Sequence, residues 1–155
     1  MKKERKVETF VYEDLGFPIR LVNCPMKKVF GEWMLDINLA QLQETVLRIL
    51  IYKRSSLSKE ELRFIRKHFG FTTTKFGEFF GVTHAAVLKW ESGQVHPQPT
   101  TEIFIRLFAL DHLRAKSDEF LKLYHQIRPI DLIKQRRSNV DCPPVKIDAH
   151  ELKTA

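Results

Sequence analysis

Cysteine is scarce in this chain, and the kinds of site that depend on it are correspondingly excluded. The two cysteines, Cys24 and Cys142, are far apart, and neither has a second cysteine or a histidine at zinc-ligand spacing. We therefore predict no metal site and no disulfide scaffold. A single Cys24–Cys142 bond is an alternative, but two reduced thiols in a cytoplasmic protein are the simpler interpretation.

Long apolar runs are also missing. No stretch approaches the roughly 18–20 apolar residues that a membrane span requires. The first ten residues, MKKERKVETF, are basic at the start but are not followed by the apolar segment of a signal peptide. We expect a cytoplasmic protein with no membrane partner.

Catalytic motifs are absent as well. The six histidines are scattered, and the sequence contains no HExxH, no glycine-rich phosphate loop and no supported serine or cysteine nucleophile. The adjacent Glu60 and Glu61 open a helix rather than form a carboxylate dyad. We therefore expect neither enzymatic activity nor a cofactor.

What the sequence does contain is an ordinary globular composition with an excess of positive charge. It is 43% hydrophobic and 29% charged, with a net charge of +7 and a pI of about 9.5. The excess is spread evenly, with +3, +2 and +2 on residues 1–54, 55–115 and 116–155. This basicity favours an acidic partner without identifying one.

Residues 1–54 have the pattern of a small α+β module. Three short β-rich segments, with turns between them, predict an antiparallel sheet over Val7–Tyr12, Phe17–Cys24 and Val29–Ile37, the second turn being Pro25–Lys28. Asn38 then caps a helix from Leu39 to Lys53 with a helical apolar period. The polar residues 53–56 are the expected linker.

Residues 55–127 have the pattern of a helical domain. Ser58 and Glu61 form a capping box for a first helix that ends at Gly70. Thr72 or Thr73 caps a second helix ending at Gly81, and Thr83 caps a third ending at Ser92-Gly93. Two more helices are predicted over Thr100–Ala115 and Ser117–Ile127. We expect residues 128–155 to be an irregular tail, because Pro143-Pro144 prevents regular structure locally.

The second and third helices are separated by only Gly81 and Val82. A turn this short favours a helix-turn-helix, in which the second helix enters a DNA groove. The residues also resemble the XRE (lambda-repressor/Cro-like) helix-turn-helix family, most clearly at Gly81-Val82-Thr83 and at Lys89-Trp90-Glu91-Ser92-Gly93. The resemblance covers about a third of the chain. It implies a mostly α protein with a small α+β N-terminal module and a five-helix DNA-binding domain.

An upstream segment, Tyr12 to Asn23, resembles the N-terminal module of MqsA-like and related antitoxin-type regulators. MqsA has a cysteine zinc site in that module, and this chain lacks the paired cysteines. The resemblance therefore implies a protein partner for residues 1–54 but no zinc.

The helix-turn-helix pattern assigns the DNA-binding residues. Thr83, His84 and Ala85 open the recognition helix, where base contacts usually arise, and Lys89 lies on its outer side. The preceding helix begins with residues suited to phosphate, namely Thr72, Thr73, Thr74 and Lys75. Arg66 is expected to form an internal ion pair with Glu91. Gln94 and His96 are interpreted as ordinary loop residues.

Three features depart from the family pattern, the first being Thr73 where the family often has glutamine at the start of the second helix. Ala85 and Ala86 replace polar residues on the recognition helix, so direct hydrogen bonds to bases are few, although alanine can contact a thymine methyl group. Phe79 and Leu88 occupy positions that are usually polar. They either pack on the N-terminal module or belong to a partner surface.

The helix Thr100–Ala115 is apolar nearly all round and must be buried on several sides. The simpler interpretation is packing within the chain. We favour a twofold dimer seam through Phe104, Leu107 and Phe108, because a homodimer engages two half-sites about one helical turn apart.

Three functions follow from the sequence. The first is a sequence-specific regulator of double-stranded DNA, associated with the nucleoid and acting as a dimeric repressor on a palindromic operator. The second is an antitoxin that blocks a cognate toxin through residues 1–54 and regulates its own operon. The third is a helix-turn-helix used only as a protein-interaction scaffold.

Overall fold

The computed structural model describes residues 4–113 and 143–152, together with the single residues 123, 126, 127, 132 and 134. In this part of the chain the fold is mixed α+β, with helices α1–α5 and a four-stranded sheet. Residues up to Val46 and from Pro143 onward form one compact unit, unit 1; the chain from Leu47 forms the other, unit 2. The division therefore falls inside a helix rather than between residues 54 and 55.

Unit 1 is built on the sheet. Its strands are β1 (Arg5–Tyr12), β2 (Ile19–Val29), β3 (Glu32–Leu35) and β4 (Val145–Asp148). The first three are antiparallel neighbours in chain order, which confirms the predicted three-stranded arrangement. β4 lies parallel to β2 and pairs with it from Ile19 to Val22. The prediction of an irregular tail is therefore wrong for this segment. Pro143 and Pro144 prevent regular structure only at their own positions, and the strand begins directly after them at Val145.

A β-bulge in β2 changes which of its side chains are buried. Val22 and Asn23 together stand opposite the single residue Thr9 of β1. Asn23 takes up the extra length with a φ of 53°, a conformation that asparagine tolerates better than most residues. Leu21 and Cys24 are consequently both buried, while Asn23, which the simple alternation places beside Leu21, is exposed.

The turn between β2 and β3 is Phe30-Gly31, with φ values of 48° and 88°. Two positive φ values in a two-residue hairpin loop define a type I′ turn. The predicted turn at Pro25–Lys28 is wrong, because these residues continue β2. Pro25 does not interrupt the sheet there, since its carbonyl still accepts a hydrogen bond from the Asp36 backbone N–H at 2.8 Å.

Cys24 is a free, buried thiol. Burial raises its pKa above the ordinary value, and the nearby carboxylate of Glu8 raises it further. The reactive thiolate is therefore disfavoured at neutral pH. Among the residues that the structure describes, no three histidine, cysteine, aspartate or glutamate side chains gather as a metal site.

The first four helices begin where the capping residues predict, whereas the fifth begins at Pro99, one residue before the predicted start, and has no side-chain cap. The helices are α1 (Leu39–Tyr52), α2 (Lys59–His68), α3 (Thr73–Phe80), α4 (His84–Ser92) and α5 (Pro99–His112). The Asn38 side chain accepts from the Gln41 N–H at 3.1 Å, and the Ser58–Glu61 capping box is complete. The predicted end of α5 at Ala115 and most of the predicted helix Ser117–Ile127 lie outside the described residues. None of the helices in the described part is long and apolar enough to cross a membrane.

Two charged side chains of α5, Glu102 and Arg106, are fully buried. Arg106 donates hydrogen bonds to the backbone carbonyls of Ile51, Lys53 and Ser55, with Nη1–O of 3.2 Å to Ile51 and Nη2–O of 2.7 Å to Ser55. These carbonyls lie in the last turn of α1 and just after it, where backbone acceptors lack partners within the helix. The guanidinium thus supplies the donors that this helix end requires.

Glu102 binds the next part of the same segment. Its carboxylate accepts from the Ser56 hydroxyl at 3.1 Å and from the Leu57 N–H at 2.6 Å, and it lies 3.6 Å from Arg106. Residues 53–56, the expected linker, are bound by these two side chains at Lys53, Ser55 and Ser56. They are fixed to α5 by a buried ion pair.

Replacing Arg106 by methionine should lower the free energy of unfolding by about 3–5 kcal/mol, because Glu102 would be left buried without its cation. Urea unfolding followed by circular dichroism measures the change. The matched control is Arg54→Met in the same segment, where the side chain is exposed and the change should stay within about 0.5 kcal/mol. A loss below about 1 kcal/mol for Arg106→Met would refute this role.

Candidate nucleic-acid interface

Helices α3 and α4 each begin at a threonine cap. The Thr72 hydroxyl accepts from the Lys75 N–H at 3.1 Å, and the Thr83 hydroxyl accepts from the Ala86 N–H at 3.1 Å. Of the two predicted caps for α3, the structure selects Thr72, which leaves the hydroxyl of Thr73 available for other contacts. Both helices end at glycines in the left-handed region, as the sequence predicts.

The turn between the two helices closes over Gly77. The Val82 N–H donates to the Gly77 carbonyl at 2.8 Å, which brings the turn back against the middle of α3. A Cβ on residue 77 would lie only 2.7 Å from the Val82 carbonyl oxygen and 3.2 Å from the Thr83 carbonyl carbon. Glycine therefore occupies a helix interior because the backbone of the next segment fills the space of a side chain.

The first turns of α3 and α4 meet through their side chains. His84 Nδ1 lies 2.9 Å from the Thr73 hydroxyl and 3.3 Å from the Thr74 hydroxyl. The three predicted site residues are thus brought into direct contact, although they are ten or eleven positions apart in the chain. The contact also fixes which ring nitrogen of His84 remains available to a ligand, namely Nε2.

The predicted residues His84, Ala85 and Lys89 share one face of α4 with Leu88. Successive side chains turn by about 100° in an α-helix, so His84, Leu88, Ala85 and Lys89 fall within about 140° of each other. All four are exposed. The opposite side of α4 is buried through Val87 and Trp90, and Glu91 is buried at the edge next to His84. The exposed face is called here the α4 face.

Charge around the α4 face favours an anionic ligand. Neither α3 nor α4 has an acidic residue in its first turn, so the positive ends of both helix dipoles are unopposed there. Lys75 and Lys89 are both exposed. Glu78 is also exposed, one turn further along α3. The region suited to an anion is therefore the start of each helix.

The buried side of α4 is fixed to α2 by an ion pair. Arg66 Nε lies 2.5 Å from Glu91 Oε1, and Nη2 donates to Oε2 at 3.1 Å, which confirms the predicted pair. Arg63, not anticipated from the sequence, donates to the Glu91 carbonyl at 3.0 Å. A two-point carboxylate–guanidinium contact restricts rotation of α4 about its own axis, and so determines the direction of the α4 face.

Gln94 and His96 lie in the exposed loop after α4. Gln94 lines an open depression of about 350 Å³ together with Arg63, Leu88 and Lys89. His96 lines a second one of about 310 Å³ on the side of α2. Gln94 is therefore adjacent to the α4 face, whereas the structure does not bring His96 to it.

The three predicted dimer residues lie on α5 beside a cluster of phenylalanines. Phe108 contacts Phe79 with 4.5 Å between ring centroids, and Phe104 contacts Phe80 at 5.9 Å. Leu107 and Phe108 are half-buried, whereas Phe104 is 56% exposed. Phe79 packs against Phe108 and is 49% exposed. The cluster is partly internal packing and partly an exposed apolar surface.

Changing Gly77 to alanine should destabilise the protein by about 1–3 kcal/mol, because the new methyl group would displace the Val82 carbonyl. The sign is diagnostic, since the same change in an unobstructed helix interior stabilises by about 1 kcal/mol. Chemical denaturation gives the difference. Glu78→Ala, at the next and exposed position, is the control and should change stability by less than about 0.5 kcal/mol. Stabilisation by Gly77→Ala would show that the close approach does not exist.

Comparisons with known proteins add no relative. The chain matches no protein-family model, no curated protein and no solved structure. The function proposed for it therefore rests on its own residues and their geometry.

Proposed function

We propose that the chain is a sequence-specific DNA-binding regulator of the XRE helix-turn-helix type, with a five-helix domain that places α4 in the major groove. The observation that carries the proposal is the contact of His84 with Thr73 and Thr74. It joins the starts of two capped helices into one exposed surface. Such a surface fits the major groove of a DNA double helix, which is flanked by phosphates.

Each part of the surface has a role in this proposal. The first turn of α3 offers the Thr74 hydroxyl, Lys75 and backbone N–H groups to a phosphate, which fixes the position of the protein on the duplex. The α4 face then meets the base edges. Lys89, at the end of that face, reaches a phosphate or a base. The Arg66–Glu91 pair holds α4 in place while it does so.

Dimerisation gives the proposal its regulatory form. A single α4 face covers only a few base pairs, and two faces related by twofold symmetry cover a palindrome. The exposed ring of Phe104 supports α5 as the seam. Repression would be steric, through occupation of an operator that overlaps a promoter.

The double variant His84→Ala, Lys89→Ala should lose specific DNA affinity by about tenfold or more, with little change in stability, because both side chains are exposed. Fluorescence anisotropy on a duplex selected from a random pool measures the affinity. The slope of log affinity against log salt should also fall by about one for the lysine removed.

The control for this variant is Lys146→Ala, His150→Ala, which removes the same two residue types from exposed positions in unit 1. Its affinity should remain within about twofold of the parent, since neither residue belongs to α3 or α4. If both double variants bind equally, the assignment of the α4 face to DNA is wrong.

The dimer is tested by Phe104→Ser. The parent should have the mass of a dimer in light scattering, and the variant should shift toward the monomer because a serine hydroxyl would be buried at the seam. Leu39→Ser replaces a comparably exposed leucine of α1 and should remain dimeric. A monomeric parent protein would exclude the seam.

A second function, that of an antitoxin, is favoured by Phe30. This phenylalanine is fully exposed at the tip of the β2–β3 hairpin and has a positive φ, where asparagine or glycine is usual. A bulky ring in this position costs stability and contributes nothing to the core. Such strain is typical of residues retained for contact with a partner. The partner in this case would be a toxin bound through unit 1.

Phe30→Asn should stabilise the protein by about 1 kcal/mol, because asparagine adopts the turn conformation readily. Under the antitoxin proposal, it should also abolish co-purification of any small basic ribonuclease-like protein that a neighbouring gene encodes. Phe30→Tyr keeps the ring and should retain both the partner and the original stability. Equal recovery of that protein with Phe30→Asn would rule out the hairpin tip as its binding site.

A further inference from the structure

Leu88 is an apolar side chain in the middle of the α4 face. It is 47% exposed, and the helical period places it between His84 on one side and Ala85 on the other. The core of unit 2 does not use it, because α4 is packed through Val87 and Trp90 on its opposite side. A leucine in this position contributes little to folding and exposes apolar surface to water.

The surroundings of Leu88 are polar and largely cationic. Lys89 follows it in the sequence, and Arg63 and Gln94 line the same open depression. Glu91, the one carboxylate among the described residues that line that depression, is buried and paired with Arg66. An apolar centre with cationic neighbours is complementary to a major groove, where phosphates flank the base edges and thymine presents a methyl group.

Hydrogen-bond donors and acceptors on the α4 face are few. Thr83 is occupied as the helix cap, and His84 Nδ1 is occupied by the two threonines of α3. That leaves His84 Nε2 and Lys89, while Ala85 and Leu88 offer only methyl groups. The side chains available to distinguish bases are thus mostly apolar.

We infer that the α4 face reads thymine methyl groups, with Leu88 as the residue that determines specificity and Ala85 as the second contact. The inference rests on the proposed DNA-binding function and adds to it the chemistry of the sequence that is read. Residues three apart on a helix have Cβ atoms about 5–6 Å apart, a spacing that suits methyl groups on neighbouring base pairs. Each half-site should therefore contain adjacent thymines.

The experiment uses the full chain and a pool of random duplexes. After the best-bound duplex has been selected, each thymine is replaced in turn by deoxyuridine, which removes only the methyl group. Binding should weaken about fourfold at one or two positions in each half-site, as expected for one methyl group returned to water. Replacement at other positions should have no effect.

The variant Leu88→Ala assigns the contact. It should bind the selected duplex about tenfold more weakly, and it should no longer distinguish thymine from uracil at one of the sensitive positions. Leu39→Ala, which truncates a leucine of equal exposure on α1, should keep the full sensitivity. The inference is supported if Leu88→Ala loses the distinction between thymine and uracil at that position and Leu39→Ala keeps it.

Three outcomes would overturn the inference, and they can be told apart. If no deoxyuridine replacement changes the affinity, or if Leu88→Ala keeps the same sensitive positions, methyl readout by Leu88 is wrong although the DNA-binding function stands. If Leu88→Ala binds the duplex as tightly as the parent, the leucine serves another protein. If no duplex is enriched from the pool, both the inference and the proposed function fail.

Discussion

The buried ion pair between Glu102 and Arg106 is the interaction on which the helical unit depends. It satisfies carbonyls at the end of α1 and just after it, and the N–H of Leu57 at the same time, so it fixes both ends of the segment that leads from α1 into α2. A polar segment buried against an apolar helix would otherwise leave several backbone groups without partners. An ion pair of this kind adds little stability compared with an apolar core, but the loss of either partner is severe. Its main effect is to restrict the backbone between α1 and α2 to a single conformation.

From that point, polar contacts pass the constraint on to the candidate interface. Leu57, held by Glu102, is followed directly by the capping box that starts α2. One turn before its end, α2 presents Arg66 to Glu91, and this pair sets the rotation of α4. Apolar packing alone tolerates small rotations of a helix, because neighbouring rotamers can adjust. A two-point ion pair is directional, so the side of α4 that faces solvent is set more sharply than Val87 and Trp90 could set it.

Local signals were predictable from the sequence, and long-range ones were not. Caps at Asn38, Ser58 and Thr83 depend on hydrogen bonds within three residues, so their sequence pattern is nearly sufficient to locate the helix starts. The pairing of β4 with β2 joins residues more than a hundred positions apart, and no local pattern records it. The bulge at Asn23 reverses the alternation of buried and exposed side chains along β2. A simple two-residue period therefore assigns the wrong face to every residue from Asn23 onward. The burial of Arg106 was not predicted for a related reason. A charged residue in an apolar helix is expected at an exposed edge unless its buried partners are known.

Within the candidate interface, two residues are unfavourable for their local environment, and they differ in whether packing explains them. Gly77 is unfavourable in a helix, and the structure accounts for it, because the Val82 carbonyl occupies the place of a side chain. Leu88 is unfavourable on an exposed face, and no contact within the described part of the fold accounts for it. Sequences are generally consistent between local preference and fold, so a violation that packing does not compensate is best explained by function. By this criterion we infer that Leu88, more than the polar residues beside it, would determine which sequence the proposed DNA-binding surface recognises.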